Sequence, residues 1–195
     1  MIHEKTIRQL AGYILQHADS VRTLGLYNGK AGLALSLFEV SRYLQDEKIE
    51  DKAFNLLQES LLGRTNDCSF ENGLSGIGYV LLYLMENQWV DADFDEMFAD
   101  KYEKIIGSFD DIDKEPDKLL NSLKMIYFLS SVKKLKPGDR RVDEIIQKIV
   151  EGVELYLSVH FFDFEDIHYI NDKTTVLKIF TAYLKIKNDY EENVV

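Results

Sequence analysis

Reactive residue types are sparse in this 195-residue sequence. Cys68 is the sole cysteine, placed between Asp67 and an apolar run, where a helix N-terminus could favour a thiolate. Asp67 and Glu71 oppose this, because neighbouring carboxylates favour the protonated thiol, and an ordinary structural cysteine is the plainer reading. The stretch from His160 to His168 collects two histidines with Asp163, Glu165 and Asp166, residue types that bind metals. Their spacing matches no metal-ligand pattern, and a polar loop with buried phenylalanines explains them equally well, so no metal is assigned. Glu71 and Asp172 each adjoin the entrance of an apolar segment. Two carboxylates facing one pocket could serve as acid and base toward a glycosidic bond, although Trp89 is the only tryptophan available as a sugar platform. Lys30 could meet an anion or simply extend into water. No catalytic residue emerges from these candidates.

The elements that must position them are helical. Ile7, Leu10, Ala11, Ile14 and Leu15 repeat at three-and-four spacing, which predicts a helix over 4–18. Apolar residues Ala31, Leu33, Ala34, Leu35, Leu37 and Phe38 predict a deeply buried helix over 29–44, with Asn28 as its N-cap. A charged amphipathic helix follows over 47–62. Then the entrance recurs: Asn72, Gly73 and Gly76 stand 44 residues after Asn28, Gly29 and Gly32, again ahead of an apolar run. A shared period of this size is the mark of stacked helical hairpins. Two fainter copies lack the glycines, one opening at Asn121 and one at Asn171. Amphipathic helices over 93–106 and 139–158 complete eight helices, an amphipathic outer one alternating with an apolar inner one. The expected fold is all-α, about four hairpins in one domain over 1–195.

The glycines invite two compatible readings. Gly29 and Gly73, placed in the first helical turn, would let the chain bend sharply, and Gly32 and Gly76 would let helix ends crowd together. Alternatively, those helix N-termini converge on an anion-friendly cavity. The candidate binding surface is therefore Tyr27, Asn28, Gly29 and Lys30 with Glu71, Asn72 and Gly73.

Composition narrows the partners. The formal net charge of −11 argues against nucleic acid, whose binding rests on Lys and Arg, and against anionic membrane surfaces. Acidity peaks between Asp91 and Lys118, where eleven carboxylates face four lysines; a solvated surface or a docking face for a basic partner both fit. One cysteine excludes an intrachain disulfide and suggests a reducing compartment. With no signal-peptide pattern and no run long enough to span a bilayer, a cytoplasmic location is expected.

Gly25-Leu26-Tyr27-Asn28-Gly29-Lys30-Ala31-Gly32-Leu33-Ala34 and Asn72-Gly73-Leu74-Ser75-Gly76-Ile77-Gly78 resemble the repeats of the lanthionine synthetase C-like family. The resemblance covers mainly residues 1–90. It implies an α/α toroid, an inner ring of helices inside an outer one, of which four hairpins would make an incomplete ring. It also implies closure of thioether rings, by adding peptide cysteine thiols to dehydrated Ser or Thr, at a zinc held by two cysteines and a histidine. The family's cysteine two residues before the repeat glycine is matched here by Tyr27 and Glu71, and no Cys-His pair occurs. Zinc lowers a thiol's pKa and holds it as a nucleophile, so no metal or other cofactor is expected and cyclase activity is not implied. The favoured expectation is a zinc-free relative that binds a peptide or assists a partner enzyme in peptide maturation. The alternatives are a toroid-type carbohydrate-active enzyme and a structural helical-repeat protein. An open ring would leave apolar helices uncovered on one side, so self-association is also expected.

Overall fold

The computed structural model describes residues 4–109, 115–160 and 170–194, with only the backbone of 170–174 and 190–194. Among these residues there are eight α-helices and no strand. They are α1 (Glu4–His17), α2 (Lys30–Leu44), α3 (Glu47–Leu62), α4 (Leu74–Glu86), α5 (Phe94–Gly107), α6 (Pro116–Leu135), α7 (Arg140–His160) and α8 (Ile170–Val194). The chain divides into two compact units, Met1–Ile105 and Ile106–Val195.

In the first unit, α2 and α3 form the most extensive hairpin, and α1 and α4 pack on it. Small residues make this possible. Ala31 and Ala34 on α2 and Ala53 on α3 are fully buried beside Leu37, Phe38, Leu56 and Leu57, so the backbones approach closely. Gln45 ends α2 in the left-handed region at φ 52°, and Asp46 starts α3 by accepting the Lys48 N–H at 3.2 Å. α2 is buried along a stripe rather than all round: Ser36, Glu39 and Tyr43 are exposed, Leu33 and Leu35 half-buried. The nearly enclosed helix is α4, where Leu74 to Gly78 and Val80 to Leu82 are all buried. Phe94, Phe98, Tyr102 and Ile105 give α5 one buried face, and Asp93 caps its start by accepting from the Asp95 and Glu96 N–H groups.

In the second unit, α7 and α8 both pack against α6. Asn121 does not open α6. Pro116 occupies its first turn, where a missing N–H costs nothing and the ring presets the helical φ, so the helix begins five residues earlier. α8 likewise starts at Ile170 rather than after Asn171, whose side chain lies outside the described residues.

Candidate functional site

The two glycine turns lie against each other. The Tyr27 N–H donates to the Glu71 carbonyl at 2.7 Å, joining positions 44 residues apart in sequence. Gly25 rests on the other turn so closely that a Cβ there would sit 2.4 Å from the Asn72 carbonyl carbon. A Cβ on Gly76 would lie 2.9 Å from Cβ of Leu26. Glycine at both points is a requirement of backbone approach.

Each turn is built the same way. The first amide of α2, Lys30 N–H, donates to the Thr23 carbonyl at 3.0 Å, and the first of α4, Leu74 N–H, donates to the Asp67 carbonyl at 2.8 Å. Both acceptors stand seven residues upstream. Gly32 and Gly76 repeat the pattern: a Cβ would fall 1.9 Å from the Leu26 carbonyl oxygen in one turn and 2.0 Å from that of Phe70 in the other. The helices therefore begin one residue later than the sequence suggests. Gly29 and Gly73 are N-caps with extended backbone, outside the first turn, and Asn28 precedes its cap in the left-handed region at φ 54°. Asn suits that region because its short polar side chain tolerates it.

These bonds decide what the helix ends can bind. On α2, the N–H groups of Lys30, Ala31 and Gly32 go to the carbonyls of Thr23, Leu24 and Gly25. Donors that would cradle an anion are spent within the turn. Lys30 turns aside as well, its side chain only 16% exposed and paired with Glu59 of α3. Lys52 pairs with Asp19, and that hydrogen bond, with the lysine charge, holds the Asp19 carboxyl below its usual range.

What remains accessible is a polar surface with one aromatic ring. Tyr27 is 50% exposed, Asn28 and Asn72 are exposed, and Glu71 is half-buried. Gly29 and Gly73 are buried beneath them. Thr23 Oγ1 donates to the Asn28 carbonyl and Ser75 Oγ to the Cys68 carbonyl, both at 2.6 Å, pinning the loops that carry these side chains. Sequence reasoning missed the parts that hold the surface in place: the Thr23 and Asp67 carbonyls and the Lys30–Glu59 pair. The 44-residue offset marks Thr23 and Asp67 as equivalent, but two unlike side chains hide a role carried by the backbone.

Cys68 Sγ lies 3.8 Å from the Asn66 and Lys104 carbonyls, a half-buried thiol on the loop that Lys104 fastens through Asn66. Residues 161–169, which hold most of the His160–His168 cluster, and the Asp172 side chain lie outside the described residues. A zinc held by two thiolates does not fit this chain, which has one cysteine and carries Tyr27 and Glu71 at the matching places. Among the described residues, no three His, Cys, Asp or Glu side chains are grouped to hold a metal ion. No described helix is long and apolar enough to cross a membrane.

A family model described as lanthionine synthetase C-like protein matches residues 3–131. That span takes in both glycine turns and α1 to α5. No curated protein and no solved structure gives a significant match.

Proposed function

We propose that this chain, which belongs to the lanthionine synthetase C-like family, binds a peptide on its paired glycine turns and assists modified-peptide maturation without zinc. The observation that carries the reading is the Tyr27-to-Glu71 backbone bond, which sets Tyr27, Asn28 and Asn72 on two abutting turns. An exposed tyrosine beside two amides suits peptide recognition. The ring supplies contact area at low entropic cost, and the amides pair with main-chain groups. The two-thiolate centre that would activate a peptide cysteine is not encoded, so the role is to hold a substrate for a partner enzyme.

The test is anisotropy of a labelled model peptide carrying cysteine and dehydroalanine, with free thiol followed in the presence and absence of added zinc. Saturable binding is expected, weakened about tenfold by Tyr27→Ala at an unchanged melting temperature. Free thiol should stay constant. Zinc-dependent thiol loss would mark a cyclase and refute the accessory role. Undiminished affinity in both Tyr27→Ala and Asn72→Ala would refute the site.

A further inference from the structure

The second unit contains a cavity of its own, lined by residues of three helices. Its volume is about 320 Å³, and it is lined by α6, α7 and α8, of which α7 and α8 each pack more extensively on α6 than on each other. Leu123 and Ile126 of α6, Ile146 and Val150 of α7 and Ile186 of α8 form its walls. Three polar side chains complete the lining: Glu154 of α7 with Tyr183 and Lys187 of α8. Tyr183 Oη donates to the Glu154 carboxylate, tying the two helices, and the Lys187 ammonium stands 5.9 Å from the centre of the Tyr183 ring.

We infer that this cavity binds the apolar body of an uncharged medium-chain amphiphile, such as a fatty alcohol, with its polar end at Tyr183. Shape and lining set the body. An apolar cavity of about 150 Å³ takes up benzene, so one roughly twice as large suits a chain of about eight to ten carbons. Water gains little against the aliphatic part of the lining, where it finds no hydrogen-bond partners. Pockets of this size between the helices of a bundle, apolar with a few polar groups, are a common form of small-molecule site.

The rim sets the head group. Glu154 and Lys187 place one full charge of each sign on facing helices. An anionic head drawn to Lys187 meets the Glu154 carboxylate, and a cationic head drawn to Glu154 meets Lys187. A hydroxyl or amide meets neither penalty and can donate to the Tyr183 phenol oxygen, whose own proton goes to Glu154.

The experiment uses the full chain and the neutral fluorescent probe N-phenylnaphthylamine. Saturable fluorescence enhancement is expected, together with competitive displacement by n-octanol at lower concentration than by octanoate or octylamine. Ile146→Trp, which fills the cavity, should weaken probe binding about tenfold or more while leaving the helical circular dichroism intact. Val150→Phe is the milder second filling, should Ile146→Trp fail to fold. Absence of saturable binding would overturn the inference, as would full binding in a folded filled variant. Tighter competition by octanoate or octylamine would overturn the assignment of an uncharged head. Peptide binding at Tyr27 should be the same in the filled variants, which separates this site from the turns.

Discussion

At the entrance of α2, Gly32 meets the Leu26 carbonyl from a half-buried position; at the entrance of α4, Gly76 meets the Phe70 carbonyl while wholly buried, with the Leu26 side chain pressed on it from the first turn. The two loops share a backbone design and differ in surroundings. The first carries its left-handed residue, Asn28, and its lysine, Lys30, toward the edge, where a side-chain partner on α3 is within reach. At the second, Lys30 is replaced by Leu74, which is 1% exposed, and Asn72 has no left-handed strain. A repeat can thus keep its hydrogen bonds while one copy becomes the core and the other the margin. Backbone geometry is copied, and the chemistry of each copy follows from its depth.

Substitutions at equivalent positions can break that contrast. Gly76→Leu should be the most damaging, because the added side chain meets both the Phe70 carbonyl and Leu26 with no free space; loss of cooperative unfolding is expected. Gly76→Ala should cost about 3 kcal/mol or more, and Gly32→Ala about 2 kcal/mol, since the shallower turn can shift outward. Equal losses in urea titrations would erase the distinction in depth. Gly25→Ala, forced against Asn72, should cost about 2 kcal/mol and specifically separate the turns. Hydrogen exchange at the Tyr27 amide should accelerate in that variant, and unchanged protection would show that the contact yields elsewhere.

Smaller effects sharpen the comparison. Asn28→Ala should cost about 1 kcal/mol through its left-handed backbone, against less than about 0.5 kcal/mol for the exposed Asn72→Ala. A side-chain bond farther along α2 and α4 gives the mildest test. The Tyr83 hydroxyl donates to Glu39 at 2.7 Å, and this bond, with partial burial, raises the phenol's pKa above its ordinary value. A raised folded pKa means the contribution is complete below about pH 10 and fades as pH climbs through the folded value. Thermal melts of Tyr83→Phe should therefore differ from the parent at neutral pH and converge with it in strong alkali.

Much of the fold was legible because its signals are local. Apolar spacing, apolar runs and the recurring entrance anticipated the eight helices of the described residues, and the 44-residue offset paired the two turns. The errors came where one hydrogen bond or one ring decides a boundary: Gly29 rather than Asn28 caps α2, and Pro116 rather than Asn121 opens α6. The residues of the two turns could be named from sequence, but their adjacency rests on the Tyr27–Glu71 bond between backbones distant in sequence, which no side-chain pattern announces. The α7–α8 cavity was invisible for a related reason. Its walls are ordinary core residues, and only the packing of three helices distant in sequence turns them into a pocket.

α2 and α4 are fastened at two levels, by the Tyr27 amide on the Glu71 carbonyl ahead of the helices and by the Tyr83 hydroxyl on Glu39 farther along them. Two anchors along a pair of parallel struts suppress both sliding and splaying. A peptide docking there, as proposed, would meet a preset mould, and the protein would lose little conformational freedom. The same stiffness would limit the range of shapes the turns could accommodate, so any adjustment on docking would fall to the guest rather than to the host.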